Sequence, residues 1–354
     1  MVRHSFPLIA GDASTKEHGM DMHSQLEDTP MPALVSTGQL PPADQVRVCL
    51  EQAYSRYRTL DEGTVADYIP ALARMPRHHF GLCVVGINGA VFAVGDAEVE
   101  FSIQSISKPF VFALVCHAIG DEAARQKLGV NNTGLPFNSV MAIELNRQRT
   151  MNPMVNAGAI ATTSLIPGDS ADDKWDYIVD GLSRFAGRPL TLDAEVYASE
   201  AAHNQRNQGI ARLLESYDRM YFDPLLATDV YTRQCSLKVT VKDLAVMGAT
   251  LADGGVNPVT GEQVIAAAHC RRVLAVMATT GLYEHSGDWL YEIGLPGKSG
   301  VSGGIVTVAP GKGGLGTYAP PLDVAGNSVK GQVATKFLSE KLGLNLFSSQ
   351  PAVE

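Results

Sequence analysis

Apolar residues recur at helical spacing in the first well-patterned stretch of the chain, "ADQVRVCLEQAYSRYRTL", which begins at Ala43. The spacing predicts an amphipathic helix, and the two prolines just before Ala43 are typical of a helix start. The apolar positions on the predicted buried face are Val46, Leu50, Ala53, Tyr54 and Tyr57.

The pattern then changes to short β-rich runs. "FGLCVVGINGAVFAVGD" holds two such runs, which are separated by Asn88 and Gly89. These two residue types favour the positive backbone angles of a tight primed turn. The stretch therefore predicts a β-hairpin.

From residue 106 to about residue 284 the pattern is mainly helical, as in "DDKWDYIVDGLSRFAG" and "VKDLAVMGATLADGG". The glycine pair that ends the second segment is typical of a helix C-terminus. Three β-rich runs broken by glycine and proline return in "WLYEIGLPGKSGVSGGIVTVAPGKGGLGTYAP". After them, "VKGQVATKFLSEKLGL" predicts a closing amphipathic helix.

This order of elements predicts an α/β protein of the α+β type, with an antiparallel sheet flanked by N- and C-terminal helices. We expect one domain over residues 41–354, with a sheet lobe formed by residues 41–105 and 285–354. Residues 106–284 would form an inserted helical lobe. Residues 1–40 are polar and lack sustained periodicity, which predicts a flexible N-terminal extension. Further methionines within it also leave open a true start downstream of the first residue.

The composition is that of a soluble globular protein, with 45% hydrophobic and 18% charged residues. The net charge of −9 is spread along the chain, and no basic block is present. A nucleic-acid backbone or an anionic membrane would therefore be an unfavourable partner. A small-molecule substrate is the better expectation.

The five cysteines lie far apart and form no C-x-x-C pair, which argues against both a disulfide framework and a zinc site. The early apolar run "FPLIAG" is too short for a signal peptide, and no window reaches the ~20 apolar residues of a membrane span. These observations favour a reducing, cytoplasmic location.

The segment "FSIQSISKPF" places Ser105 three residues before Lys108. Residues at this spacing share one face of a helix, so the lysine could serve as the base for a serine nucleophile. A lysine base must be partly neutral, and the apolar residues that follow Lys108 would bury it and lower its pKa. An ordinary helix start, with a capping serine and a solvated lysine, gives the same pattern.

A second motif, "LPGKSGVSGG", places Lys298, Ser299 and Gly300 between β-rich runs. S-x-x-K followed at a distance by K-T-G is typical of serine β-lactamases and penicillin-binding proteins, and K-S-G would take the place of the third element here. The backbone N–H groups of Ser105 and Val301 could then form an oxyanion hole. Taken alone, K-S-G is also compatible with a plain glycine-rich turn.

Four longer stretches are more specific than these short motifs. They are "FSIQSISKPF", "NPMVNAGAIATTSL", "ESYDRMYFDPLLATDVYTRQCSLKVTVKDLA" and "GLPGKSGVSGGIVTVAPGKGGLGTYAPPLDVAGNSVKG". From about Gln45 to Leu344 the chain resembles the bacterial serine-dependent glutaminases, which have a β-lactamase-like fold. The resemblance implies hydrolysis of L-glutamine to L-glutamate and ammonia without a cofactor or metal, by a homo-oligomer such as a dimer or tetramer.

The resemblance also implies roles for individual residues. Ser105 would be the nucleophile, Lys108 its base, and Tyr231 a partner in proton transfer, with Lys298, Ser299 and Gly300 in support. The positions implied to contact the substrate are Ser105, Asn156, Glu200, Asn207, Tyr231, Tyr283 and Val301. An acceptor such as Glu200 suits the ammonium group of a free amino acid, and neutral donors suit its carboxylate. Glu200 and Asn207 are seven positions apart, so they would face the same way if that segment is one helix.

Two alternatives stay open at this point. A β-lactamase or D-Ala-D-Ala peptidase would share the serine and lysine, but Arg233 stands where the S-D-N or Y-x-N motif requires asparagine. A non-catalytic amino-acid sensor could use the same pocket, although it would need no nucleophile.

Overall fold

The computed structural model describes residues 38–349. The predicted N-terminal extension over residues 1–40 lies outside the described residues, apart from its last three positions. In the described part of the chain no helix is long and apolar enough to cross a lipid bilayer.

Within this range the chain forms fourteen α-helices and seven strands. The strands are β1 (Gly81–Gly86), β2 (Val91–Gly95), β3 (Phe101–Ser102), β4 (Lys238–Val239), β5 (Gly297–Ser299), β6 (Gly304–Ala309) and β7 (Gly313–Tyr318). The first seven helices are α1 (Ala43–Tyr57), α2 (Pro70–Ala73), α3 (Ser107–Ile119), α4 (Asp121–Leu128), α5 (Met141–Leu145), α6 (Asn156–Ser164) and α7 (Ala171–Ala186). The others are α8 (Ala194–Ala201), α9 (Gln205–Ser216), α10 (Pro224–Cys235), α11 (Val241–Ala252), α12 (Ala267–Thr280), α13 (Ser286–Ile293) and α14 (Val329–Lys341).

The main sheet has five antiparallel strands in the order β2-β1-β7-β6-β5. Strands from before and after the long helical segment therefore pair directly, with β1 beside β7. The predicted first helix, hairpin, late strands and closing helix are all present, which confirms the predicted fold class. The boundaries of the sheet and helical lobes stay a prediction.

The hairpin turn differs from the expected two-residue primed turn. Its loop has three residues, 87–89, because the Gly86 N–H donates to the Ala90 carbonyl at 2.9 Å. Gly89 has a positive φ of 79°, whereas Asn88 does not. A turn followed by one left-handed glycine also matches the twist of the two strands, so a single positive φ is sufficient.

Helix α11 lies directly on the sheet, which requires strands with little side-chain bulk. A Cβ added to Gly314 of β7 would be 2.2 Å from the carbonyl oxygen of Ala245 in α11. Glycine is therefore needed at this contact. Helix α3 lies in the same core, and its residues from Ser107 through Cys116 are all buried.

A separate two-stranded ladder positions the segment that carries Ser105. β3 pairs with β4, and just beyond it the Ile103 N–H donates to the Leu237 carbonyl at 2.8 Å. A one-turn 3-10 helix, Gln104–Ile106, then leads into α3. The serine is thus held between a strand end and a buried helix.

Candidate active site

Ser105 lies on a backbone turn with unusual geometry. Gln104, the residue before it, has φ of 52°, a left-handed conformation that is uncommon for residues other than glycine. Gln104 is also buried, and its backbone carbonyl accepts a hydrogen bond from the Ser107 hydroxyl at 2.8 Å. Such conformations persist only where the surrounding structure holds them in place, and they cluster at functional sites.

Lys108 is 1% exposed and has no carboxylate among its hydrogen-bond partners. Its Nζ donates to Asn156 Oδ1 at 2.8 Å and to the Met154 carbonyl at 3.3 Å. Burial disfavours the charged form and lowers the pKa of Lys108 to about 7. The lysine can therefore exist as a neutral amine near neutral pH, as a general base requires.

Asn156 connects several of the predicted site residues. It is the first residue of α6, and its Oδ1 accepts from both Lys108 and the Tyr231 hydroxyl, the latter at 3.4 Å. Its Nδ2 donates to Asn207 Oδ1 at 3.0 Å. The structure thus brings residues from α3, α6, α9 and α10 into one network.

Two buried tyrosines lie on either side of the lysine. Lys108 Nζ is 5.9 Å from the ring centroid of Tyr231 and equally far from that of Tyr283. The Tyr283 hydroxyl has no well-formed hydrogen bond, and Tyr283 is the second left-handed residue at the site, with φ of 58°. Burial raises the pKa of Tyr283 to about 12, while the nearby Ser105 and Ser299 hydroxyls act in the opposite direction.

The K-S-G motif forms β5 and the turn that follows it. Lys298 is fully buried, and its Nζ lies 4.0 Å from the Tyr283 ring centroid. Gly300 lets this turn approach the serine segment, since an added Cβ would be 3.0 Å from the Ile103 carbonyl oxygen. Among residues 38–349 the N–H of Val301 has no hydrogen-bond acceptor, so it is available to a ligand.

These groups surround a cavity of about 120 Å³. Its lining includes Ser105, Asn156, Glu200, Asn207, Tyr231 and Val301, which are six of the seven substrate-contacting positions expected from the sequence. The seventh, Tyr283, lies against Phe137 of the cavity wall, with ring centroids 4.8 Å apart. Of the supporting residues, Lys298 and Ser299 lie near Tyr283 and do not line the cavity.

Glu200 carries the acidic group of the cavity. Burial raises the pKa of Glu200 to about 7, although the Gln104 amide, which donates to its Oε1 at 2.5 Å, acts in the opposite direction. Glu200 and Asn207 lie on two successive helices, α8 and α9, and not on one helix as their spacing of seven suggested. They nevertheless line the same cavity.

Sequence reasoning missed Gln104 and Tyr68, which also line the cavity. Gln104 contacts Glu200 only because its backbone is left-handed, and no local pattern indicates that conformation. Tyr68 lies in an irregular segment just before α2 and is 57% exposed, so periodicity could not place it at the site.

Comparison with known proteins gives a consistent result. A family model described as "Glutaminase" matches residues 63–347. Glutaminase 2 of Yersinia pestis is 60% identical over 320 residues, which cover 90% of this chain and 94% of that protein. The glutaminase of Brucella canis is 49% identical over 311 residues, which cover 88% of this chain and 98% of that protein.

Solved structures agree in fold. The chain is similar to a structure described as probable glutaminase ybaS, with a TM-score of 0.86 and 44% identity over 87% of this chain and all of that one. It is also similar to Mglu in its L-glutamate binding form, with a TM-score of 0.82 and 39% identity over 86% of this chain and 70% of that one. The fold is thus the β-lactamase-like fold of these neighbours, and the chain belongs to the glutaminase family, the enzymes that hydrolyse glutamine.

Proposed function

We propose that the protein hydrolyses L-glutamine to L-glutamate and ammonia, with Ser105 as the nucleophile and Lys108 as its base. The observation that carries this proposal is the environment of Lys108. The amine is buried one helical turn after the serine, and no carboxylate among its hydrogen-bond partners holds it in the charged form.

The number of acceptors around Lys108 suits a base. A neutral amine has two N–H donors and one lone pair, and the two acceptors, Asn156 Oδ1 and the Met154 carbonyl, can take both donors. The lone pair is then left to accept the proton of Ser105. A lysine held by three acceptors would instead favour the ammonium form.

The reaction would proceed in two steps through an acyl enzyme. Ser105 Oγ attacks the γ-carboxamide carbon while its proton passes to Lys108, and the C–N bond then breaks as the proton is delivered to the departing ammonia. Water next attacks the γ-glutamyl ester, Lys108 takes a proton from it, and the ester bond breaks to release glutamate. Ser105 regains its proton in this last step.

The tetrahedral intermediates carry an oxyanion, which would be stabilised by the N–H groups of Ser105 and Val301. The free N–H of Val301 and the close approach permitted by Gly300 support this assignment. One donor of this kind is typically worth ~10²- to 10³-fold in rate.

Both tyrosines are candidates to assist proton transfer. The Tyr231 hydroxyl donates to Asn156, which also holds the base. The Tyr283 hydroxyl has no such partner and lies near Ser105, which makes it the better placed of the two to exchange a proton at the serine. Their high pKa values mean that both would act as neutral hydroxyls.

The cavity supports a free amino acid as the substrate. Glu200 offers an acceptor for the α-ammonium group, while Asn156 and Asn207 offer amide donors for the α-carboxylate. At about 120 Å³ the cavity is smaller than the ~300–1,000 Å³ of typical drug-sized sites, which argues against a penicillin or a peptide as substrate.

The test is ammonia release from L-glutamine by the purified protein, with L-asparagine as a second substrate. Ser105→Ala should abolish turnover and leave glutamine binding nearly intact. Ser107→Ala is the matched control, because Ser107 is also buried in the same motif but does not line the cavity. Its hydroxyl donates to the Gln104 carbonyl and accepts the Gln234 amide, so the variant should lose stability but retain more than about a tenth of the rate.

Three results would contradict parts of the proposal. Unchanged turnover in Ser105→Ala would exclude the serine as nucleophile. Equal loss in Ser107→Ala would mean that folding, rather than chemistry, is affected. Tight glutamine binding by the wild type without ammonia release would identify an amino-acid sensor.

We also propose that the protein assembles as a homo-oligomer, a dimer or a tetramer. Exposed apolar side chains on α5 support this, since Met141 is 58% exposed and Leu145 71% exposed, and a second copy could cover them. Light scattering in solution should give a multiple of the monomer mass, and a monomeric mass at micromolar concentration would contradict the proposal.

We also propose that the protein is located in the cytoplasm. All five cysteines are free and buried, which suits a reducing environment. Fractionation of cells that express the untagged protein should recover it with cytoplasmic markers, and recovery from the periplasm or the medium would contradict this.

A further inference from the structure

We infer that Asn152 is a positioning residue for the Lys108 base, acting through the peptide of Met154. The inference rests on the proposed function, because it assumes that Lys108 accepts the proton of the nucleophile. Asn152 does not line the substrate cavity and is 2% exposed.

The hydrogen bonds from Asn152 to Lys108 form a continuous path. Asn152 Oδ1 accepts the Met154 N–H at 3.0 Å, and the Met154 carbonyl accepts Lys108 Nζ at 3.3 Å. A side-chain oxygen that binds the N–H two residues later fixes the conformation of a turn. Asn152 therefore determines where the Met154 carbonyl points.

Asn152 is itself anchored to a distant segment. Its Nδ2 donates to the Asn131 carbonyl at 2.9 Å, and the next residue, Asn132, donates to the Thr279 carbonyl at 2.8 Å. The backbone on its other side is crowded by α6, since a Cβ added to Gly158 would be 1.9 Å from the Asn152 carbonyl oxygen. The turn over residues 152–156 is thus held from both sides.

This turn supplies both acceptors of the lysine, the Met154 carbonyl and the Asn156 side chain. If the Met154 carbonyl rotated away, one N–H of the amine would lose its partner and the lone pair would lose its fixed direction. A displacement of about 1 Å at a reacting group can cost ~10²-fold in rate. Asn156, which also binds substrate in the proposed function, would remain in place, because it begins α6 and its N–H donates to the Phe137 carbonyl at 2.9 Å.

The pH dependence of Lys108 depends on its surroundings as well as on this turn. The titratable groups that face it are Tyr231 and Cys235 from α10, Tyr283 ahead of α13, and Lys298 from β5. None of these belongs to the turn over residues 152–156. A change confined to that turn therefore alters the hydrogen bonding of the amine and leaves those charges unchanged.

The test compares Asn152→Ala, Asn152→Ser and the wild type in glutamine hydrolysis. We expect Asn152→Ala to lower kcat about 10- to 100-fold and to change KM less than about threefold. The serine hydroxyl can still accept the Met154 N–H, so Asn152→Ser should recover most of this loss. The acid limb of kcat should move to lower pH by about one unit in Asn152→Ala, because an acceptor of the ammonium is lost.

Asn257 provides a matched control. It is fully buried, its Nδ2 donates to the carbonyls of Arg184 and Phe185, and its Oδ1 accepts the Val259 N–H, so it makes the same kind of turn as Asn152. Asn257→Ala should lower the melting temperature at least as much as Asn152→Ala. It should leave kcat within about twofold of the wild-type value and the acid limb of kcat at the same pH.

The outcomes separate this inference from the proposed function. A wild type that releases no ammonia overturns the proposed function itself. An active wild type overturns only the inference if Asn152→Ala raises KM alone, leaves the acid limb in place, or loses no more kcat than Asn257→Ala at equal stability. Soluble Asn152→Ser that is no more active than Asn152→Ala also overturns it.

Discussion

Lys108 at the active site and three buried lysines of the scaffold differ in which end of a helix they contact. Three scaffold lysines donate to carbonyls at or just beyond helix C-termini. Lys174 binds the carbonyls of Ser164 and Ile166 at the end of α6, Lys312 binds that of Gly343 after α14, and Lys330 binds that of Arg58 after α1. The negative end of a helix dipole favours an ammonium group there, even where burial opposes it.

Lys108 differs in its hydrogen-bond partner. It is the second residue of α3, as Lys330 is of α14, but its shortest hydrogen bond goes to Asn156, the first residue of α6. The positive end of the α6 dipole therefore adds to burial in disfavouring the ammonium form. Burial lowers the pKa of all four lysines, so the comparison rests on the degree of burial together with the helix end that each lysine contacts.

The largest expected effect comes from removing the base. Lys108→Met should lower kcat by ~10²- to 10⁴-fold, the usual contribution of general acid-base catalysis, while the protein stays folded. Lys108→Arg should be as inactive, because a guanidinium is not deprotonated in proteins. The kcat of both variants is measured from initial rates of ammonia release, and circular dichroism checks that they are folded. Substantial activity in Lys108→Arg would contradict the role of Lys108 as a base, since a charged residue would then suffice.

The second prediction concerns pH. The proposed mechanism requires Lys108 neutral and Glu200 ionised. Burial brings the pKa of each to about 7, so both requirements fail as the pH falls below 7. Below about pH 6, log kcat/KM should fall with a slope near two, because it reports both groups in the free enzyme. The slope for log kcat should be near one, because a bound ammonium group keeps Glu200 ionised.

The Glu200→Gln variant tests whether Glu200 is one of the two groups that titrate. It should raise KM about 10-fold or more through the loss of a charged partner, and reduce the slope of log kcat/KM from two to one. A slope that stays at two in this variant would mean that another group supplies the second proton.

The smallest effect on turnover is expected from a scaffold lysine. Lys174→Met would leave two carbonyls at the end of α6 without a donor, which should cost about 1–3 kcal/mol of unfolding free energy. The kcat of the folded protein should remain unchanged. Urea unfolding and active-site titration would measure the two quantities separately. A large loss of kcat at full folding would show that the two classes of buried lysine are not distinct in function.

Much of the fold could be predicted from the sequence because its signals are local. Apolar spacing located α1, α7, α11 and α14, and turn residues located the hairpin. The exact form of the hairpin turn was wrong, since one residue more or less in a loop changes little in the apolar pattern. For the site, residue type and spacing were enough to propose the serine and the lysine, and the family resemblance implied the substrate-contacting positions.

Other features of the site depend on residues far apart in sequence. Gln104 contacts Glu200 across 96 positions, and only after the backbone takes a left-handed conformation. Glu200 and Asn207 face one cavity from two helices, although helical spacing suggested a single one. Asn152 fixes a turn through its hydrogen bond to the Met154 N–H, but the hydrogen bond from Lys108 to the Met154 carbonyl cannot be predicted without the fold.

The amino-acid sequence alone is enough to specify the chemical groups available to the protein, because Ser105, Lys108 and the K-S-G motif can be read directly from it. The four longer stretches that carry the family resemblance can be read in the same way. The tertiary structure is what allows this lysine to be a neutral amine. Its low pKa follows from full burial, and its acceptors come from the turn over residues 152–156. Desolvation and helix dipoles act through space, and a single chain in extended form has neither.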